Sequence, residues 1–200
     1  MSATGQPTDE DLIARIGTGD REAFAALYRR RRADVYRFAL FMSGSAATAD
    51  DVTQDVFVEL IDHAQRFRPG RASAVPWLFG IARNHVRRQR QRSRTSVSIG
   101  EADTRRAPQF AVQDDPVAGL ARREHIEALR RAVLDLPVGY REAVVLCDLH
   151  ELSYADAAAA LDCAIGTVRS RLHRGRALLT ARLRVADAAL YPAPLPRGTP

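Results

Sequence analysis

All thirty Lys-or-Arg positions of the 200-residue chain are arginine, with no lysine anywhere. These guanidinium groups are concentrated in two places. Residues 63–94 carry 9 Arg and no acid, and residues 164–184 carry 6 Arg and no acid, whereas residues 1–62 hold 7 Arg against 11 Asp and Glu and residues 95–163 hold 7 against 12. A guanidinium is a planar fork of donors that suits phosphate oxygens and guanine edges. Two acid-free blocks in an otherwise acidic chain with a net charge of +6 therefore predict a polyanionic partner. In the first block Arg83, Arg87, Arg90 and Arg94 recur at spacings of four, three and four, with Arg88 and Arg92 beside them, which on a helix is a continuous basic ridge. The opposite charge has its own pattern. Asp51, Asp55, Glu59 and Asp62, at spacings of four, four and three and flanked by Gln54 and Phe57, make an acidic stripe that repels itself without a partner, and we read it as a protein-docking face.

Other chemistries lack their parts. Cys147 and His150 have ligand-like spacing, and Cys163 and His173 could complete a zinc set, but Cys147 sits in the apolar run VVLCDL, where a thiol behaves as a small hydrophobe. Asp50, Asp51 and Asp55 come without a phosphate-binding loop, a nucleophile or a histidine base. The expectation is a protein that is not an enzyme and holds no metal or cofactor. At 46% hydrophobic and 27% charged residues the composition is that of a soluble fold, and no apolar run approaches the roughly 20 residues that span a bilayer. Residues 1–8 lack the basic start and apolar stretch of a secretory signal, and two cysteines suit a reducing compartment, so the expected location is the cytoplasm.

The elements that must carry these residues are helices, since strand-like alternation and fixed-period repeats are both missing from the sequence. Asp20 is placed as an N-cap for a helix in which Phe24, Leu27, Val35, Phe38 and Met42 keep helical spacing until Gly44. Thr48 and Asp51 resemble a capping box for a second helix with Val52, Val56, Leu60 and Ile61 as its apolar stripe. Pro69 and Gly70 predict a loop, and Pro76 the first turn of a third helix with Trp77, Ile81, Ala82, His85 and Val86 inward and Trp77 structural. Residues 93–117 lack periodicity and read as a linker. Helices over 118–135, 138–149 and 153–161 follow, then a turn at 162–165 and a last helix from Gly166 to about Arg184. The alanine run 157–160 predicts loose packing, and the Pro- and Ala-rich residues 185–200 a disordered tail.

A short helix, a three- or four-residue turn and a second helix carrying unneutralised arginine is the arrangement that seats a recognition helix in the DNA major groove. Ala158 falls at the close approach, Asp162 in the turn and Val168 in the core, leaving Arg169, Ser170, Arg171 and Arg174 on the far side. Side chains near the start of such a helix reach base edges and later ones meet phosphates. Thr167, Ser170 and Arg171 are therefore assigned to bases, and Arg169, Arg174 and Arg176 to the backbone.

The stretch LSYADAAAALDCAIGTVRSRLHRGRALLTARL, residues 152–183, resembles region four of the extracytoplasmic-function group of the sigma-70 family of RNA polymerase sigma factors. There the GTV-x-S-R-L-x-R-x-R pattern opens the helix that reads the minus-35 promoter element. DDVTQDVFVELI, residues 50–61, resembles region two of the same family, which implies docking on core RNA polymerase through Asp51, Gln54, Asp55, Phe57 and Glu59. PWLFGIARNHVRRQRQR, residues 76–92, resembles the segment that opens the minus-10 element, and implies contacts with that DNA from Arg83, Asn84, Arg87, Arg88 and Arg90. A base drawn from the duplex needs hydrogen bonds that replace its pairing, and Asn84 with the preceding loop could supply them. Two residues depart from the family pattern: Asp162 stands where Gly is usual and Arg88 where Asp is common.

The resemblance implies an all-α chain of two small helical domains joined by a flexible linker, the second a helix-turn-helix. Residues 9–92 form the region-two domain, 93–117 the linker and 118–184 the region-four domain. It implies promoter-specific initiation with core RNA polymerase, promoter DNA and an anti-sigma protein as partners, in a regulated stress or signal response. An autonomous helix-turn-helix regulator or an Arg-rich RNA-binding protein would share the basic blocks but not the acidic docking helix.

Overall fold

Thr8 opens the first helix. Its Oγ1 accepts from the Asp11 amide at 3.1 Å while the Asp11 carboxylate accepts from the Thr8 amide at 3.0 Å, a reciprocal cap on α1 (Asp9–Ile16) that the sequence reading overlooked because the helix is only two turns long. The computed structural model describes residues 6–67, 73–96 and 116–190, and side chains are described for all of these except 93–96, 116–124 and 185–190. Among the described residues the chain is helical, with no strand. After α1 come α2 (Arg21–Ser43), α3 (Ala46–His63), α4 (Ala74–Ser96), α5 (Pro116–Leu134), α6 (Val138–Val144), α7 (Tyr154–Leu161) and α8 (Ile165–Leu190); a 3-10 turn follows α3 and a π turn at Val145–Leu149 follows α6.

The caps explain where the helices start and stop. Asp20 caps α2 through the Ala23 amide, and Gly44 ends it at φ 77°, a left-handed conformation that glycine adopts without penalty. The chain re-enters helix at once, so Ser45 rather than Thr48 caps α3, accepting from the Thr48 amide at 3.3 Å. Asp9, in the first turn of α1, is almost fully buried and is held by Arg30 at 2.6 Å and Arg31 at 2.5 Å, which ties α1 to α2. The Ala74 amide at the start of α4 donates to Glu10 at 2.8 Å. Trp77 packs on Phe67 with ring centroids 5.3 Å apart, in line with its structural assignment.

Leu27, Val35, Phe38, Val52, Val56, Leu60, Leu78 and Ala82 bury one face each of α2, α3 and α4 against the others. This core does not stop at the boundary between the two halves. Val133, Val145, Leu146, Ala157, Ala160 and Val168 belong to the same continuous apolar cluster, so the halves pack on one another. The alanine run does not leave α7 loose. Ala157, Ala158 and Ala160 are buried, and their small side chains let α7 lie so close to α4 that a Cβ built on Gly80 would sit 3.6 Å from the Ala160 carbonyl oxygen.

Several boundaries differ from expectation. Ile61 is 48% exposed rather than part of the buried stripe. The last helix continues to Leu190, into the stretch expected to be a disordered tail, because residues 185–190 contain neither Pro nor Gly to stop it. Helices α4 and α5 extend to Ser96 and back to Pro116, shortening the linker from both ends. The expected loop at Pro69 and Gly70, linker residues 97–115 and tail residues 191–200 lie outside the described residues.

Candidate functional site

The helix-turn-helix forms as its residues demand. Ser153 caps α7 through the Asp156 amide at 3.1 Å. Asp162 ends it at φ 48° and ψ 57°, the left-handed conformation that Asp tolerates better than most side chains, with its amide donating to Ala159 O at 3.3 Å. Val168 and Leu172 anchor α8 in the core. Gly175 lets α8 lie tightly against α6: a Cβ there would lie 2.8 Å from Val144 Cγ2.

On the open side of α8, Arg169, Ser170, His173 and Arg174 are exposed and Thr167 is half-buried. Arg169 stands over the Tyr154 ring at 5.8 Å, and the Ser170 hydroxyl donates to Thr167 O at 3.0 Å. Two of the expected DNA contacts also touch other parts of the chain. Arg171 is half-buried, its Nε 3.5 Å from where a Cβ of Gly139 would be, so it lies along the start of α6. Arg176, whose side chain is about half exposed, pairs with Asp148 through hydrogen bonds of 3.0 and 2.5 Å, a bidentate contact that ties α8 to the π turn.

The basic ridge of α4 also has two sides. Asn84, Arg87, Arg88 and Arg92 are exposed. Arg83 is largely covered and donates from Nε to Glu142 of α6 at 2.8 Å, and Arg87 Nε approaches the same carboxylate oxygen at 3.9 Å. Arg90 is half-buried near Arg141. The Arg94 side chain lies outside the described ones.

On α3, Asp51, Gln54 and Asp55 are exposed as a docking face requires, but two of its expected members are not free. Phe57 is core, its ring edge-on to Tyr28 at 4.8 Å and to Phe24 at 6.3 Å. Glu59 meets His85 Nε2 at 2.7 Å, and the other ring nitrogen of His85 lies 3.3 Å from Asp55, so the imidazole bridges the acidic helix to the basic one. Arg88 adds a looser contact with Glu59 at 3.8 Å. Beside the face lies a groove of about 390 Å³ lined by Tyr28, Arg32, Gln54, Phe57, Val58 and Ile61. Val58 was not singled out from the sequence, because in a helix rich in apolar residues periodicity does not reveal which one faces water.

Two family descriptions match this arrangement: "Sigma-70 region 2" over residues 27–95, which cover α3 and all but the last residue of α4, and "Sigma-70, region 4" over residues 126–179, which cover α7, the turn and the first part of α8. The ECF RNA polymerase sigma factor SigC of Mycobacterium tuberculosis is 35% identical over 190 residues, 90% of this chain and 95% of SigC.

The chain belongs to the extracytoplasmic-function group of the sigma-70 family.

It is thus a sigma factor, an initiation subunit and not an enzyme, that binds core RNA polymerase and directs it to promoters. Among solved structures, CnrH in complex with the cytosolic domain of CnrY aligns with a TM-score of 0.66 at 27% identity, covering 90% of this chain and 99% of that one. RpoE in complex with the anti-sigma factor NepR from Bartonella quintana gives 0.65 at 28% identity, covering 82% and 98%. The candidate zinc set of this sigma factor is not assembled: His150 is packed against Phe79 and Phe38, with ring centroids 4.7 and 6.3 Å away, and burial raises the Cys147 thiol above its ordinary range. Among the described residues no helix is long and apolar enough to cross a membrane.

Proposed function

We propose that the two basic surfaces divide promoter recognition as the family's two regions do. Thr167, Arg169, Ser170, Arg171 and Arg174 on α8 meet the minus-35 element, and Asn84, Arg88 and the neighbouring Arg83, Arg87 and Arg90 on α4 meet the minus-10 element. Asp51, Gln54 and Asp55 dock on core polymerase, with Glu59 and His85 positioning Asp55 and Phe57 supporting the helix from beneath. Residues 9–92 and 118–184 are the working modules and the intervening residues their linker. The observation that carries this reading is the split of α3 and α4 into a solvent-facing acidic side and a solvent-facing basic side joined through His85. Two adjacent surfaces of opposite sign serve a basic clamp and a nucleic acid at once.

The two solved neighbours were each captured with a second protein, in the case of RpoE the anti-sigma factor NepR. An anti-sigma partner for this chain, acting in the cytoplasm within a signal response, follows from that likeness. The docking assignment is tested by Asp55→Arg: affinity for core polymerase falls while the thermal melt stays that of a folded protein. Unchanged affinity would return the acidic stripe to an ordinary solvated face.

A further inference from the structure

His85 follows Asn84 on α4, yet its ring is turned to the docking helix. The side chain is largely covered, 13% exposed. Nε2 meets Glu59 Oε2 at 2.7 Å, and Nδ1 lies 3.3 Å from Asp55 Oδ2. Carboxylate oxygens only accept. A neutral imidazole, with one N–H and one lone pair, can therefore serve one of them and must set its lone pair against the other. An imidazolium donates on both sides, so the arrangement is complete only when both ring nitrogens carry a proton.

The charged groups that face the ring are Asp55 and Glu59 from α3 and, through Glu59, Arg88 of its own helix at 3.8 Å. Among the described residues, α2 brings no carboxylate within 4.0 Å of it. His63, one turn beyond Glu59, donates from Nδ1 to the Glu59 main-chain carbonyl at 3.0 Å. Asp55 and Glu59 stand four residues apart on one helix face, where like charges repel. Asp55 is the more open of the two, its side chain 49% exposed against 28% for Glu59. A carboxylate has two oxygens, so holding one of them from α4 leaves the other for a basic group of a partner.

We propose that His85 is a proton-dependent positioning residue for core docking: its doubly protonated ring holds Asp55 and Glu59 in one arrangement on α3, and core polymerase binds that arrangement more tightly than the one left when the ring is neutral. The proposal rests on the assignment of Asp51, Gln54 and Asp55 to core polymerase. Charge alone predicts the opposite sign. A proton on His85 makes the stripe less negative and so weakens its attraction to a basic clamp. Holding the carboxylates in place beforehand removes part of the ordering cost of binding. The sign of the proton's effect on affinity therefore tells the two apart.

The test measures the affinity of the full chain, labelled with fluorescein at its N-terminus, for purified core polymerase at constant ionic strength. Wild type, His85→Gln and His85→Arg are compared at about pH 6 and about pH 8.5, which bracket the ordinary titration of an imidazole near 6.5. His85→Arg is a cation at both pH values, so ratios to it cancel the titration of core polymerase and of His63. Between the two pH values the wild type is expected to lose about fivefold against His85→Arg, the worth of one partly covered ion pair. His85→Gln should be about fivefold weaker than wild type at the lower pH and equal to it at the higher. Thermal melts show that each protein is folded, and if one variant is not, the other carries the comparison. Profiles that run parallel overturn the proposal, as does a wild type that gains on His85→Arg as pH rises. Failure of the underlying assignment is read separately: Asp55→Arg would then leave core affinity unchanged at both pH values. Asp55→Arg that weakens binding beside parallel His85 profiles would keep the docking face and sink only the role of His85.

Discussion

The Arg141 guanidinium is buried and donates to the carbonyl of Met42, 2.9 Å away in the last turn of α2, while its second terminal nitrogen serves the carbonyls of Leu134 and Leu136. One side chain thereby closes the end of α2, the end of α5 and the turn that follows it. Burial and the nearby Arg90 lower its pKa to about 10, still charged at neutral pH. Arg141→Ala leaves several buried carbonyls without donors, and the expected loss is about 2–4 kcal/mol, read by urea denaturation. A loss below about 0.5 kcal/mol would mean that water takes over these carbonyls freely.

His150 supplies the pH dependence. Burial against Phe79 and Phe38 is the main cause that lowers its pKa to about 4; Asp34 opposes the shift and Arg37 adds to it. A histidine held neutral in the fold stabilises it fully above its ordinary pKa near 6.5, and that contribution disappears as pH falls from about 6.5 toward 4. The expected decline over this interval is of order 3 kcal/mol beyond that of His150→Phe, measured as unfolding free energy against pH. Parallel profiles for the two proteins would count against the assignment.

Gly175 sets the seat of the recognition helix. Alanine favours a helix interior over glycine by about 1 kcal/mol, but here its Cβ would meet Val144 Cγ2 at 2.8 Å and Tyr140 O at 3.3 Å. Gly175→Ala should therefore destabilise by about 1–3 kcal/mol, and Val144→Ala in the same chain should recover part of the loss. A stabilised Gly175→Ala protein would show that α8 has slack against α6.

The arginines of α8 should separate by role. Arg174→Ala is expected to weaken duplex binding evenly across sequences and to reduce the salt slope by about 1, whereas Arg176→Ala, already engaged by Asp148, leaves the slope nearly unchanged. Arg171→Ala should cost about 1–3 kcal/mol on particular minus-35 bases if its half-buried fork makes a bidentate contact. An even loss on all sequences would reassign Arg171 to supporting α6.

Much of this was legible in the sequence because it is written locally. The Asp162 turn, Val168 as an anchor, the Asp20 cap and the alternation of acidic and basic blocks each depend on a few neighbouring residues, and each has the expected form. What was hidden depends on distant partners. Nothing near Arg83 or Arg176 in sequence announces Glu142, 59 residues away, or Asp148, 28 residues away, so both arginines read as free. The alanine run looked loose because small side chains pack tightly only when another backbone comes close, and Gly80 lies in the other half of the chain. Ile61 and Phe57 exchanged expected places for a similar reason: the aromatic pair Phe24 and Tyr28 on α2 decides which side of α3 is covered.

Run-off transcription with purified core polymerase tests the central claim most directly. Adding this chain should make core initiate at a defined start, and changing the minus-35 or minus-10 bases of that promoter should abolish the transcript. A chain that binds duplex DNA unaided yet makes core initiate on none of the promoters mapped after its overexpression would contradict the account.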